Sequence, residues 1–193
     1  MALLVIGLLL LLGTHSVPMS PSLKAALIAR LGERPFKIAF WTLSGVGLVL
    51  IVIGYGHFRG SPQDVLLWSP PTWSRDLAYV VMLPALILFV AAFSPTHIRQ
   101  LVGGHPLLFS VILWAITHLI GNGHLAGLLL FGGFLVWALV DLVSAFQRNV
   151  VGPFGDKPST VTGDVIAIVI GCAAYALLLT WAHRLITGTP LVG

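Results

Sequence analysis

Charged residues divide this chain into long apolar stretches, and the lengths of those stretches set the first expectation. Met1–Leu23 carries no charge. Pro18 and Pro21 should end a helix there near Val17, because proline lacks a backbone donor and disfavours helical geometry in the residue before it. Ile38–Phe58 lies between Lys37 and Arg59. Leu77–Ile98 lies between Asp76 and Arg99, with Pro84 as a kink and Ser94-Pro95 as a stop. Gln100–Val140 is also uncharged. At 1.5 Å per residue a single helix over it would run to about 60 Å, twice the hydrocarbon thickness of a bilayer. It must fold back, and Gly121-Asn122-Gly123 supplies the turn. Val165–His183 closes the series before Arg184. The runs are too long and unbroken for the short alternating strands of a membrane barrel. The pattern predicts an all-α integral membrane six-helix bundle, with spans 4 and 5 forming a helical hairpin.

Composition agrees. Of 193 residues, 58% are apolar and 8% charged, whereas a soluble domain carries about 25% charge to face water. The surface of this chain must face lipid, and no polar block is large enough for a second domain, so 1–193 reads as one domain. The formal charge of +4 sits in short loops beside the spans. There it orients a membrane protein rather than binding nucleic acid. Lys24, Arg30, Arg34, Lys37, Arg99, Arg148 and Lys157 fall on one side, against Arg59, Arg75 and Arg184 on the other. By the positive-inside rule both termini lie on the non-cytoplasmic side of a bacterial inner membrane. The N-terminus lacks the basic flank of a cleavable signal, so the first span is expected to persist.

Smaller features refine the picture. Ser22–Leu31 sets Leu23, Ala26, Leu27 and Ile28 apart from Lys24 and Arg30, as an amphipathic helix lying in the interface would. Trp68 and Trp73, around Pro70-Pro71, read as interface anchors. The pairs Gly45 and Gly47, Gly54 and Gly56, and Gly132 and Gly133 suit close helix packing in lipid. The single Cys172 excludes an internal disulfide, a cysteine zinc cluster and a CxxC redox pair.

Ionisable groups within spans are the candidates for chemistry. His57, His97 and His124 fall at ends or in loops. His15 ends the first span, His105 precedes Pro106, His118 follows Trp114 by one turn, and His183 ends the last span. Each is either a hydrogen-bonded packing residue or a ligand. Neutral imidazole binds iron, copper or zinc. No HExxH is present, while histidines on different apolar helices suit haem, a flat apolar ring needing one or two axial ligands. Asp164 reads as a cap of the last helix, and Asp141 as a partner of Arg148 or Arg99. Phosphate loops, serine elbows and Cys-His arrangements are missing.

At these residues the chain resembles the NnrU family over nearly its whole length. The resemblance rests on His15-Ser16, LGERPF (Leu31–Phe36), VLIVIGYG (Val49–Gly56), LWSPPTW (Leu67–Trp73) and MLPALILFVAAF (Met82–Phe93). It continues through HPLLFSVILWAITHLIGNG (His105–Gly123), LLLFGGFLVWALVD (Leu128–Asp141), DVIAIVIG (Asp164–Gly171) and WAHRLITG (Trp181–Gly188). That family is named for an association with nitrite and nitric oxide reduction. It is similar to the 15-cis-zeta-carotene isomerases, which use haem b held by two histidines to isomerise a cis double bond. The resemblance implies haem b with His15 and His118 as axial ligands, and His105 and His183 in shared motifs. It implies cis-trans isomerase-like or redox-linked chemistry on an apolar substrate. The alternative is a non-enzymatic accessory, sensor or transport protein in nitrite and nitric oxide metabolism. The loop charges put His15 and His105 near the inner face and His118 about 18 Å deeper than His105. Ligation by His15 and His118 together therefore requires the short first helix to sit deep.

Overall fold

Why each apolar stretch stops where it does is visible in the computed structural model, which describes residues 1–152, 154–155 and 157–188. Among these residues there are eight helices and no strand. Helix α1 is Ala2–Ser16, continued by a 3₁₀ turn over Val17–Met19 that contains Pro18. Helix α2, Pro21–Leu31, is capped by Ser20, whose Oγ accepts from the backbone N–H of Leu23, and it buries no residue. That is the surface helix expected over 22–31. Gly32, at φ +84°, makes the sharp turn into α3, Glu33–Phe58. Helix α4 is Ser74–Ala91, α5 the single turn Ile98–Leu101, and α6 Pro106–Gly121. Helices α7, Leu125–Gln147, and α8, Val161–Thr187, are each interrupted by a π-helical turn, at Leu128–Gly132 and Leu178–Ala182.

Five helical segments are long and apolar enough to cross a membrane: Ala2–Met19, α3, α4, α7 and α8. The hairpin forms as predicted, with α6 and α7 joined through Asn122-Gly123-His124. Its first arm has 16 residues, about 24 Å of rise against a hydrocarbon core of about 30 Å. It is therefore the shortest of the six apolar helices. Helix α3 starts earlier than the charge count suggested, because Glu33 and Lys37 pair at 2.6 Å on its exposed face and extend the helix past its charges.

The chain divides into two compact units, one of Met1–Pro71 with His118–Ala145, the other of Thr72–Thr117 with the chain from Phe146 onward. In the first, α1 and α3 run antiparallel and touch backbone to backbone. A Cβ on Gly47 would lie 2.8 Å from the Leu11 amide nitrogen, and one on Gly7 would lie 2.7 Å from that of Ile51. In the second, α4 and α8 are likewise antiparallel. Gly171 packs on the Ile87 backbone, and the Tyr175 hydroxyl donates to the Tyr79 carbonyl at 2.9 Å. Without a hydrophobic drive between helices in lipid, such close van der Waals contact carries the association.

Candidate functional site

One end of the first unit is organised around His15. The final turn of α1 places it beside two aromatic rings, Phe40 of α3 at 5.1 Å and Trp137 of α7 at 6.2 Å, the latter edge-on. Its Nδ1 lies 2.9 Å from the Leu11 carbonyl oxygen. A carbonyl only accepts, so Nδ1 carries the proton and Nε2 of the neutral ring keeps its lone pair. Donation of the distal N–H to a backbone carbonyl is the arrangement that orients metal-binding histidines and raises their basicity. Ser16 and Trp137, the neighbours of His15 in chain and in space, line a groove of about 600 Å³. Met19, Leu128, Gly132 and Val136 complete most of it, and its wall contains the π-helical turn of α7. Such turns recur at functional sites because they re-aim the side chains around them. The Nε1–H of Trp137 is buried and meets no acceptor among the described residues. Leaving such a donor unsatisfied costs about 1–3 kcal/mol.

The opposite end of the same unit holds His118. Its ring sits 4.9 Å from Phe131, which in turn is 6.3 Å from Tyr55. Phe40, beside His15, and Tyr55 are fifteen residues apart on α3, about 22 Å along its axis. A metal–imidazole bond is about 2 Å long, so two axial nitrogens on one metal lie about 4 Å apart. His15 and His118 are thus placed at different levels and are not brought together. The end near His118 is closed by loops that the sequence reading had not linked. Leu67 N–H and Trp68 N–H both donate to the Gly123 carbonyl. Gly123 presses so closely on the Trp68 carbonyl that no side chain would fit there. Asp64, with a side chain 1% exposed, accepts from Gly60 N–H at 3.2 Å and from Ala126 N–H at 2.7 Å, and His124 donates through Nδ1 to its carbonyl at 3.1 Å.

His105 and His183 belong to the second unit. His105 is buried at the start of α6, with its ring edge-on to Phe146 at 4.9 Å. His183 is half-buried near the end of α8, with Nδ1 3.2 Å from the Thr187 hydroxyl. The loops of this unit are stapled by side chains. Buried Arg99 donates from its guanidinium to the carbonyls of Phe154 and Lys157. Asp164 accepts from the backbone of His97 and Ile98 and pairs with the His97 ring at 2.7 Å. The cap of α8 is Thr160, whose Oγ1 accepts from Gly163 N–H. Asp164 instead fastens the loop before α5.

Among the described residues, no three His, Cys, Asp or Glu side chains gather into a metal-binding group. A carboxylate or multi-histidine metal centre finds no donors there, whereas haem needs only one or two axial imidazoles. The donors around His15 fit a group held through one imidazole: a fixed tautomer, an adjoining apolar groove and an unsatisfied indole N–H. They do not fit the His15–His118 pair acting on a single iron.

The comparisons with known proteins bear on the chain as a whole. A family model described as NnrU protein matches residues 3–191. No curated protein and no solved structure matches the chain. With that match covering nearly every residue and five helices of membrane-spanning length and hydropathy, this chain is a membrane protein that belongs to the NnrU family.

Proposed function

We propose that this NnrU-family protein holds haem b in the groove beside His15 and acts there on an apolar molecule drawn from the bilayer. The observation that carries the reading is the His15 tautomer: Nδ1–H is committed to the Leu11 carbonyl, and Nε2 is left as a ligand beside an apolar groove of about 600 Å³. A site of that volume lies within the usual 300–1,000 Å³ range of small-molecule pockets. Bound haem would supply an iron centre able to change oxidation state and polarise a bound partner. The chain's own residues do the remaining work. His15 binds, the Leu11 carbonyl orients His15, and Trp137 offers a hydrogen bond. Leu128, Val136 and Val140 keep water out while remaining open to lipid-borne molecules.

The reaction class that the resemblance supports is cis-trans isomerisation or a redox-linked step on such a molecule. All six apolar helices cross the bilayer in this reading, with both termini on the non-cytoplasmic side. Purification in detergent after expression with ample haem precursor is the test. A Soret band with about one haem per chain is expected, and a colourless protein under those conditions overturns the proposal.

A further inference from the structure

The closed end of the first unit contains a cavity of about 320 Å³ that the haem reading does not use. Its lining includes Tyr55, Arg59, Asp64, Asn122 and His124, and its charges are sorted by depth. The Asp64 carboxylate is 1% exposed, whereas Arg59 is exposed at the rim. Backbone N–H groups of Gly60 and Ala126 satisfy the hydrogen bonding of Asp64, but peptide dipoles do not cancel a full charge. A buried charge stays costly until an opposite one approaches it. The lining therefore complements a ligand that leads with a cation and trails an anion.

A second observation says what carries that ligand. The loop beside the cavity exposes three consecutive apolar side chains, Val65 at 50%, Leu66 at 56% and Leu67 at 46%. Its backbone is locked to the hairpin turn through Gly123 and Leu125, so these side chains are held outward. They stand at the end of two apolar helices, the level at which a bilayer changes from acyl chain to head group. An apolar rim around a cavity with a deep anion and a shallow cation matches one class of molecule. We propose that the cavity binds the head group of an amine-bearing phospholipid. The ammonium sits toward Asp64, the phosphate takes donors from Arg59 and the Tyr55 hydroxyl, and the acyl chains lie along Val65–Leu67. Arg59 is suited to the phosphate because its guanidinium presents several donors in a fixed plane.

The full chain would be reconstituted into vesicles of equal parts phosphatidylethanolamine and phosphatidylglycerol. It would then be re-extracted in mild detergent and weighed with its retained lipid by native mass spectrometry. Wild type should retain phosphatidylethanolamine over phosphatidylglycerol by about tenfold, the worth of one charge-assisted interaction. Asp64→Asn keeps an oxygen for Ala126 N–H and should abolish the preference, while Arg59→Gln should lower retention of both lipids about tenfold. Equal retention of the two lipids by wild type overturns the proposal, as does displacement of the lipid by millimolar inorganic phosphate, which would mark a plain anion site. Unchanged retention in a folded Arg59→Gln protein also overturns it. That variant lies at the exposed rim and carries the test if Asp64→Asn fails to fold. None of these outcomes depends on haem being bound.

Discussion

Replacing Gly47 by alanine adds a single methyl group where α1 and α3 pass closest. The added Cβ would sit 2.8 Å from the Leu11 amide nitrogen, 3.0 Å from the Gly7 carbonyl oxygen and 3.1 Å from the Leu11 Cβ. Comfortable contact between such atoms begins near about 3.5 Å, so the two helices would have to part by about 0.7 Å. Most of the obstructing atoms are backbone, which cannot rotate away. Overpacking of this kind costs about 1–3 kcal/mol. The methyl also favours the helix by up to about 1 kcal/mol, which would blur the result taken alone. Gly45, two residues earlier on the same helix, removes the ambiguity: its Cβ would meet nothing within 4 Å. Gly45→Ala carries the same propensity gain with no clash, so the difference between the two variants isolates the contact. The assay is equilibrium unfolding in mixed micelles with rising sodium dodecyl sulfate, followed by far-ultraviolet circular dichroism. Gly47→Ala should unfold about 1–3 kcal/mol more easily than Gly45→Ala. Equal stabilities would refute the backbone contact between α1 and α3.

Tyr175→Phe removes the hydroxyl that donates to the Tyr79 carbonyl, and it should lower stability in the same titration by about 1 kcal/mol, typical of a single hydrogen bond. Asp164→Ala takes away the acceptor shared by the His97 and Ile98 amides. Hydrogen exchange at those two amides should accelerate by at least about tenfold, while exchange in the middle of α8 stays unchanged. For orientation, a cysteine at exposed Gln63 in a Cys172→Ala background should react with an impermeant thiol reagent in intact cells, and one at Ser22 should resist. The reverse pattern would invert the assignment of both termini. Gln63 is preferable to Ser61, whose hydroxyl is buried.

Much of the fold was legible because proline and glycine mark the ends of the apolar runs. Pro18 falls in the 3₁₀ turn that finishes α1, and Asn122-Gly123 lies in the hairpin turn. The start of α3 was missed because counting charges treats Lys37 as a boundary, although an exposed i,i+4 pair with Glu33 supports the helix through it. The glycine pairs were read as equivalent, yet the structure separates them. Ser44, Gly47, Ile51, Gly54 and Phe58 form the buried stripe of α3, at spacings of three and four residues that a helical-period reading could have found. Gly45 and Gly56 fall off that stripe and face open space. The linkages of Asp64 to Ala126, of His97 to Asp164 and of Arg99 to Phe154 each span more than fifty residues, and no local pattern announces them. His15 was recognisable as a chemical candidate. Its tautomer, and its distance from His118, depended on how α1, α3 and α7 pack.

The most direct test of the account is the absorption spectrum of His15→Ala beside that of His118→Ala, both purified with haem precursor in excess. If His15 is the ligand, His15→Ala loses the Soret band or binds haem far more weakly, because no other imidazole stands at that level of the unit. His118→Ala, about 22 Å away along α3, keeps the wild-type spectrum. A normal spectrum in His15→Ala, or loss of haem in His118→Ala with the fold intact, would contradict the assignment of the groove.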